Sequence, residues 1–285
     1  IVKAPLGVRK VAVIGGGPIG MRTACFAAER GHKVTLYEKT GYLGGKLKFA
    51  DLYSFKWSFK QYREWLIEEL ARRGVEVKLN HEATPSELQV EDFNAIIACT
   101  GSRAKRPDLE GADAPGVWTS EDVYEGRAAI GQKVVVVGGG EVATETAMYL
   151  AEQGKDITIL TRSDMLMKKE CRPHGPHQQY PVLIPELGYG GVGPAWVIYP
   201  DFKPVYGAVT LRVTPNSVTY VKDGVETTLD CDSVVVNGGY QSCIEEALQY
   251  SDCAPLFYLA GDVEADVCSN IQQGNVSAFG KACLL

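Results

Sequence analysis

Short apolar runs alternate along this chain with longer segments in which apolar residues recur every three or four positions. Residues 11–14 and 33–37 are runs of strand length, and residues 21–30 between them have helical spacing. The same strand–helix–strand order returns over residues 133–160. This alternation predicts an α/β protein with parallel sheets, built around an internal repeat.

Glycines mark the turn that follows the first strand of each repeat. The turn at residues 15–20 reads G-x-G-x-x-G, and the turn at residues 138–143 reads G-x-G-x-x-A. In this context the glycines permit a tight turn, close approach of a pyrophosphate, and packing of the helix on the strand. The helix N-terminus adds free N–H groups for the phosphates. Both repeats are therefore predicted to bind a dinucleotide.

The residue that ends the second strand differs between the repeats. Glu38 and Thr161 stand at the same sequence distance from the first glycine of their turns. Glu38 is placed to accept hydrogen bonds from an adenosine ribose. At Thr161 no carboxylate would repel the 2′-phosphate of NADPH, and Arg162 follows with a planar fork suited to phosphate. Lys168 and Lys169 could add long-range attraction, so NADPH is expected to be preferred over NADH.

Outside the repeats, the pattern predicts two further strands that each end in a glycine turn. Residues 92–101 and 232–239 each combine an acid, an apolar strand and a closing glycine. Residues 103–116, rich in Pro, Gly and charge, indicate a crossing between domains. The other expected elements are helices at 53–73 and 271–284, strands at 75–79 and 256–260, and an antiparallel meander within 208–229. The helix at 53–73 carries an aromatic stripe expected to lie in the core.

Composition and charge narrow the function classes. The chain has 285 residues, of which 45% are hydrophobic, and a net charge of −6, which argues against nucleic acid as a main partner. No signal peptide or membrane-spanning run is visible. The eight cysteines contain no C-x-x-C pair, so neither a zinc knuckle nor an adjacent dithiol is supported, and reduced thiols favour the cytoplasm. His174 and His177 lack a third ligand, so no metal is expected.

Two glycine-turn units, two strand-plus-glycine crossings and the Gly261–Asp262 pair together resemble the two-dinucleotide-binding flavoprotein reductases. In that group the first Rossmann-like domain binds FAD, and the second, inserted into it, binds NADH or NADPH. The runs VAVIGGGPIGM, GHKVTLYEK, LGGKL and IACTGS are most similar to the C-terminal region of the 2,4-dienoyl-CoA reductases. Those enzymes belong, with trimethylamine dehydrogenase, to the extended old yellow enzyme family.

The resemblance implies an α/β fold with an FAD-binding domain at 1–112 and 252–285 and an NAD(P)H-binding domain at 113–251. It implies cofactor contacts for residues of both glycine turns and of the crossings. On the FAD side these are Gly15, Gly17, Pro18, Ile19, Glu38, Lys39, Gly45, Lys46, Ala83, Thr100, Gly101, Gly261, Asp262 and Ile271. On the nicotinamide side they are Gly138, Gly140, Glu141, Val142, Thr161, Arg162 and Gly239. No side chain is expected to act as acid, base or nucleophile.

The family carries an N-terminal barrel with FMN and a four-iron cluster, and neither the barrel nor a cysteine cluster is present in this sequence. Together with Ile1 at the start, this suggests the C-terminal part of such an enzyme, passing electrons from NAD(P)H through FAD to a barrel that reduces an enoyl-CoA-type alkene. Lys46 and Leu47 follow Gly45 where disulfide reductases of the group have a cysteine pair, which disfavours disulfide reduction. The alternatives are a non-catalytic ADP-binding domain, as in trimethylamine dehydrogenase, and a stand-alone reductase subunit for a partner protein. The Pro- and Gly-rich stretch 171–207 has no counterpart in the simplest members.

Overall fold

A computed structural model describes residues 7–53, 56–167, 201–264 and 270–285 of the chain. The chain forms two compact units. One combines Ile1–Arg103 with Tyr240–Leu285, and the other is Ala104–Gly239. The second unit is thus inserted into the first, as the resemblance implies. None of the helices in the described ranges is long and apolar enough to cross a membrane.

The described elements comprise fifteen strands and seven α-helices. The strands are β1 (Lys10–Ile14), β2 (Lys33–Tyr37), β3 (Glu76–Lys78), β4 (Ala95–Ala98), β5 (Ser102–Ala104), β6 (Val117–Thr119), β7 (Lys133–Val137), β8 (Asp156–Leu160), β9 (Phe202–Val205), β10 (Val209–Thr214), β11 (Ser217–Lys222), β12 (Val225–Asp230), β13 (Ser233–Val236), β14 (Tyr240–Ser242) and β15 (Leu256–Leu259). The helices are α1 (Pro18–Glu29), α2 (Trp57–Arg72), α3 (Pro85–Val90), α4 (Ser120–Tyr124), α5 (Glu141–Glu152), α6 (Ile244–Leu248) and α7 (Ile271–Leu284), with 3-10 turns at Gly45–Leu52 and Gly261–Val263.

A parallel five-stranded sheet organises the first unit, in the order β15-β4-β1-β2-β3. Its central strands are buried on both faces, which explains why β1 and β4 are continuous apolar runs without alternation. Helices α1, α2 and α7 cover one face, and Met21, Leu36 and Leu66 are fully buried between sheet and helices. Full burial of such a side chain stabilises the fold by about 1.5–3 kcal/mol. Strands β5 and β14 pair with each other in a separate two-stranded sheet.

The second unit has a parallel sheet of the same construction, in the order β6-β13-β7-β8-β9. Helix α5 packs against β7 and β8 over a core that includes Val136, Leu150 and Ile159. An antiparallel meander, β10-β11-β12, follows β9, as the alternating pattern predicts. The α/β class predicted from the sequence is therefore confirmed.

The internal repeat extends to individual hydrogen bonds. The N–H of Gly15 donates to Tyr37 O at 2.8 Å, and the N–H of Gly138 donates to Leu160 O at 2.9 Å. Each bond ties the first glycine of a turn to the end of the neighbouring strand. Strands β4 and β13 occupy equivalent places, since each pairs in parallel with the first strand of its repeat. The strands of the segments that begin at residues 92 and 232 thus occupy the same position beside the first strand of each repeat.

The helices of the repeat begin earlier than apolar spacing predicts. Helix α1 starts at Pro18 and α5 at Glu141, three residues before the expected starts at 21 and 144. The first turn of each helix adjoins a glycine turn, so it does not carry the apolar stripe from which the starts were predicted. Pro18 suits this place because its missing N–H is not needed there.

The aromatic stripe on α2 lies only partly in the core, which corrects the expectation from spacing. Leu66 and Leu70 are buried, but Trp65 remains 39% exposed. Trp65 stacks on Tyr62, and the guanidinium of Arg22 lies 5.1 Å from its ring centroid. The spacing of apolar residues identifies the helix, but it does not show how many of those residues the neighbouring elements cover.

Candidate nucleotide-binding sites

The first glycine turn is closed on one side and open on the other. Gly15 has a φ of +107°, a conformation that favours glycine. A Cβ at Gly15 would overlap Cys99 O, and a Cβ at Gly20 would overlap Gly15 O. A Cβ at Gly17, in contrast, would meet no heavy atom within 4 Å. The turn therefore packs tightly against β4 and keeps an unfilled space at its middle glycine.

Helix α1 opens directly onto that space. Gly17 is its N-cap in extended conformation, with φ −68° and ψ 176°, and no side chain caps the first turn. Uncapped N–H groups and the helix dipole favour an anion at such an N-terminus. Ile19, at the second position, packs beside Gly261 of the later 3-10 turn. The open glycine and the uncapped helix start together fit a phosphate group.

Glu38 lies buried beside the turn and is held by protein donors. Its Oε2 accepts from the N–H of Gly16 at 2.7 Å, and its Oε1 accepts from the N–H and hydroxyl of Thr40 at 2.8 and 2.7 Å. The residue is 8% exposed. A carboxylate offers about four lone-pair sites, so about one remains for a ribose hydroxyl. Glu38 thus shapes the turn in addition to any contact with a ligand.

The second glycine pair, Gly44 and Gly45, lies on the first turn. The N–H of Gly44 donates to Gly16 O at 2.8 Å. A Cβ at Gly45 would come within 3.1 Å of Gly17 Cα, and Gly45 has a φ of +51°. Gly44 has a φ of +112°, so both positions have a backbone conformation that favours glycine. The pair leads straight into Lys46.

Lys46 and Asp262, both predicted site residues, are brought together by Ser102. The Lys46 ammonium donates to Ser102 Oγ at 2.6 Å, and the Ser102 hydroxyl donates to Asp262 Oδ2 at 2.6 Å. Lys46 Nζ also lies 3.8 Å from the ring centroid of Tyr240. Sequence reasoning missed Ser102 and Tyr240. A serine directly after the turn at 92–101 was the only local signal.

The remaining candidates of the first unit make contacts within the protein. Ala83 O accepts from the Tyr250 hydroxyl at 2.9 Å, and Thr100 donates its hydroxyl to Cys243 O at 3.1 Å. Gly101 O accepts from the N–H of Cys243 at 2.9 Å. Lys39 is exposed, and its Nζ lies 4.0 Å from Glu246 Oε2. Ile271 is the first residue of α7 and follows the N-cap residue Asn270. Their assignment to a cofactor stays a prediction.

The glycine turn of the second unit repeats the open geometry of the first. Gly138 has a φ of +128°, and a Cβ at Gly140 would meet no heavy atom within 4 Å. Gly140 is the N-cap of α5, with no capping side chain, and Glu141 and Val142 form the first turn of that helix. A Cβ at Gly139 would overlap the side chain of Thr161. The second unit therefore has the same unfilled space at an uncapped helix start.

Thr161 and Arg162 face different environments. Thr161 is 5% exposed, and its Oγ1 accepts from the N–H of Ser163 at 3.2 Å. Arg162 is exposed and makes no hydrogen bond or ion pair within the described part of the chain. Gly239, the last candidate of this unit, has a φ of +83°. Lys168 and Lys169 lie outside the described residues, as do His174, His177, Cys171 and Cys268.

A buried polar network supports the start of α5, and sequence reasoning missed it. The Tyr124 hydroxyl lies 2.6 Å from Thr146 Oγ1, which lies 2.7 Å from Ser120 Oγ. The Ser120 hydroxyl donates to Asn237 Oδ1 at 2.7 Å, and Thr146 also bonds Val142 O. Because Asn237 touches the space beside Gly138, the network joins the turn to the ends of β6 and β13.

Two deeply buried cysteine thiols are poor nucleophiles. Burial raises the pKa of the Cys99 thiol to about 12 and that of Cys231 to about 11, so both stay protonated and weakly nucleophilic near neutral pH. No group of three or more His, Cys, Asp or Glu side chains placed to hold a metal ion occurs among the described residues.

Comparison with known proteins agrees with this geometry. Residues 2–89 and 86–175 match the family model of the pyridine nucleotide-disulphide oxidoreductases. The chain is 34% identical over 237 residues to the cinnamate reductase of Clostridium sporogenes, covering 82% of this chain and 33% of that protein. It is 42% identical over 164 residues to the NADH oxidase of Thermoanaerobacter brockii, covering 56% of this chain and 25% of that protein.

A solved structure of 2-naphthoyl-CoA reductase with 2-naphthoyl-CoA superposes with a TM-score of 0.87 at 26% identity. The match covers 100% of this chain and 41% of that one. The chain thus spans a quarter to two fifths of the length of these three relatives. The resemblance to flavoprotein reductases drawn from the sequence is confirmed, and this chain belongs to the pyridine nucleotide-disulphide oxidoreductase family.

Proposed function

We propose that this chain is the flavin-reducing part of a larger oxidoreductase, in which NAD(P)H bound by the inserted unit reduces FAD bound by the other unit. The observation that carries the proposal is the pair of open spaces at Gly17 and Gly140. Each lies at an uncapped helix start after a parallel strand, and a Cβ added at either glycine would project into it. Two such sites in one chain fit a donor and an acceptor that are both dinucleotides.

For FAD, the residues present suit the group. The space at Gly17 with the N–H groups at the start of α1 would take the pyrophosphate, with Pro18 and Ile19 beside it. Glu38 would accept from the adenosine ribose through its remaining lone pair. Lys46 and Asp262 would lie toward the ribityl and flavin end. Ala83, Thr100, Gly101 and Ile271 are assigned to the cofactor by resemblance alone.

For the nicotinamide cofactor, Gly138, Gly140, Glu141 and Val142 would hold the pyrophosphate. NADPH is the expected preference, since Thr161 brings no carboxylate and Arg162 is exposed and has no hydrogen bond or ion pair to any described residue. An arginine–phosphate contact of about 1.5–3 kcal/mol corresponds to a ten- to hundredfold preference. Gly239 has a positive φ on the crossing and would lie near the same cofactor.

A bound FAD would supply the redox chemistry, and the protein would supply position. Hydride transfer needs the reacting atoms at about 3–3.5 Å and no general base. Disulfide reduction is disfavoured, because Lys46 and Leu47 stand where a cysteine pair is needed and the Cys99 and Cys231 thiols are protonated.

The electrons would leave for a partner centre that reduces an activated alkene. Cinnamate reductase and 2-naphthoyl-CoA reductase both act, by their names, on unsaturated carbon conjugated to a carboxyl or thioester group. The resemblance assigns that step to an N-terminal barrel with FMN and a four-iron cluster. A substrate of the enoyl-CoA type is therefore proposed for the complete protein. A cytoplasmic location rests only on cysteine usage and stays a prediction.

Two alternatives differ in what they require of the sites. The geometry of residues 15–38 needs only the ADP half of FAD, so a non-catalytic ADP-binding domain would use the same turn. A stand-alone reductase subunit would use both cofactors and deliver electrons to a separate protein. Unlike the first alternative, the proposed function requires bound flavin. Unlike the second, it requires that the same gene encodes a barrel upstream of this chain.

Reconstitution of the chain with FAD tests the proposal. The chain should retain FAD through gel filtration and pass electrons from NADPH to an artificial dye, while reducing no enoyl-CoA by itself. Arg162→Ala should lower the preference for NADPH over NADH about tenfold, and Arg212→Ala, an exposed arginine of the meander, is the matched control.

Three outcomes would contradict parts of this account. Retention of ADP but not FAD would favour the non-catalytic alternative. An unchanged cofactor preference in Arg162→Ala would remove that residue from the phosphate site. Enoyl-CoA turnover by this chain alone would overturn the assignment of the alkene reduction to a separate barrel.

A further inference from the structure

Glu38 and Thr40 carry an inference that the glycine turns do not. Three hydrogen bonds reach the Glu38 carboxylate from the described part of the chain. The N–H of Gly16 donates to Oε2 at 2.7 Å, while Thr40 donates its N–H at 2.8 Å and its hydroxyl at 2.7 Å to Oε1. A carboxylate has about four acceptor positions, two on each oxygen. Oε1 is therefore fully used, and one position remains on Oε2.

Backbone hydrogen bonds hold Thr40 beside the carboxylate. Glu38 donates its N–H to Lys78 O and accepts at its own carbonyl from the N–H of His81, both at 2.9 Å. The carbonyl of Thr40 accepts from the N–H of Asn80, also at 2.9 Å. Because both residues are tied to the same neighbouring segment, the two donors of Thr40 belong to the fold of this unit.

The proton of the Thr40 hydroxyl has two acceptors within reach. Oγ1 lies 2.7 Å from Glu38 Oε1 and 3.1 Å from Tyr42 O. A hydroxyl has a single proton to donate, and a bond to a charged acceptor is shorter and stronger than one to a neutral carbonyl. The proton therefore lies on the side of Glu38. A ligand that needed this position on Oε1 would have to displace the threonine hydroxyl first.

We infer that Thr40 limits the first nucleotide site to one ribose hydroxyl, because it uses the acceptor positions on Glu38 Oε1 that a second hydroxyl would need. Two neighbouring hydroxyls of a ribose can otherwise pair with the two oxygens of one carboxylate. The inference rests on the proposed function, since it takes Glu38 as the acceptor for the adenosine ribose of FAD. It makes Thr40 a specificity-determining residue, which neither the glycine pattern nor the acid at the end of β2 identifies.

Competition with FAD tests the inference on the full chain of 285 residues. ADP, 2′-deoxy-ADP and 3′-deoxy-ADP each compete with FAD for the nucleotide-free protein, and flavin fluorescence reports how much FAD is bound. One of the two deoxy nucleotides should bind about tenfold less tightly than ADP, because a hydrogen bond to a charged group is lost. The other should bind like ADP, since its missing hydroxyl has no acceptor on Glu38.

Variants of Thr40 show whether its hydroxyl sets this limit. Thr40→Ala leaves a position on Oε1 unused, so both deoxy nucleotides should then bind about tenfold less tightly than ADP. Thr40→Ser retains the hydroxyl and should keep the pattern of the parent. Thr228→Ala, which removes an exposed hydroxyl 3.0 Å from Thr219 Oγ1 in the meander, is the matched control. Each result is a ratio of affinities measured on one protein, so a loss of stability alone does not change it.

The outcomes separate the inference from the proposed function. A parent chain that takes up no FAD overturns both. A parent that binds FAD, with both deoxy nucleotides weaker than ADP, overturns the inference alone and indicates that the Thr40 hydroxyl turns to Tyr42 O. The inference also fails if neither deoxy nucleotide loses affinity, if Thr40→Ala keeps the pattern of the parent, or if Thr40→Ser loses it.

Discussion

A single methyl group added at two positions of the first glycine turn should have opposite consequences. Gly17→Ala places the methyl group in the space where no heavy atom lies within 4 Å. Gly20→Ala places it against the carbonyl oxygen of Gly15, a backbone atom that cannot move aside. The first variant should therefore lose ligand binding, and the second should lose stability.

The magnitudes follow from the local conformation. Gly17 has φ −68° and ψ 176°, which any residue adopts, so the fold should tolerate alanine. A lower entropy of the unfolded chain offsets the weaker N-cap, and the free energy of unfolding should change by less than about 0.5 kcal/mol. The methyl group projects into the proposed pyrophosphate space, and overpacking of about 1–3 kcal/mol corresponds to about 5- to 140-fold weaker FAD binding.

Gly20 is the third residue of α1, where alanine would gain about 1 kcal/mol of helix propensity. The overlap with Gly15 O outweighs that gain, because turn and helix must separate to relieve it. We expect a net loss of about 1–2 kcal/mol, which lowers the unfolding midpoint of a domain of this size by about 2–8 °C. Melting of nucleotide-free protein measures stability, since bound FAD would itself raise the midpoint.

Gly17→Ala is the control for Gly20→Ala in the melting experiment. Gly20→Ala is the control for Gly17→Ala in the binding experiment, which is done at a temperature where both variants are folded. Parent-like FAD affinity in Gly17→Ala would refute the claim that this space belongs to the ligand. Parent-like melting in Gly20→Ala would refute the tight packing of the turn.

Three further predictions address the neighbouring networks. Glu38→Ala leaves the N–H of Gly16 without its acceptor, so it should lower the unfolding free energy by about 1–3 kcal/mol and reduce FAD retention, whereas unchanged melting would contradict the network. Ser120→Ala should raise the KM for NADPH without lowering flavin content, and an unaltered KM would remove the serine from the support of α5. Hydrogen bonds from Lys78 and Lys10 lower the pKa of Glu91, so its stabilisation is present above the unfolded pKa and is lost as pH falls through the folded pKa. Glu91→Gln should therefore cost about 0.5–1 kcal/mol at pH 7 and progressively less as the pH falls through the folded pKa of Glu91, and a loss in urea unfolding that does not shrink towards acid pH would contradict this sign.

Local pattern was enough to predict the repeat and its turns. A buried strand, a glycine turn and a helix lie within about thirty residues of sequence, so their periodicities are readable without tertiary context. The same reading found Glu38, because it directly ends β2. It could not show that the Glu38 carboxylate also holds Gly16 and Thr40, since those contacts depend on how the loop folds back.

Contacts between segments that are distant in sequence could not be predicted from local sequence patterns. Ser102 lies 56 residues from Lys46 and 160 from Asp262, so the tertiary fold and not the local sequence brings them together. Two short helices did leave a signal that apolar spacing ignored. Thr84 caps α3 and Thr119 forms a capping box at α4, and either residue could have been recognised by the acid that follows three positions later.

Anaerobic reduction of the reconstituted chain tests the central claim most directly. The FAD-loaded protein should be yellow, and its oxidised flavin band in the visible spectrum should bleach when NADPH is added, and more slowly with NADH. Gly140→Ala should keep the flavin but slow the bleaching, because the added methyl group would project into the second open space, where the pyrophosphate of the nicotinamide cofactor is proposed to bind. A protein that stays colourless after incubation with FAD, or a flavin band that neither nicotinamide cofactor bleaches, would contradict the account.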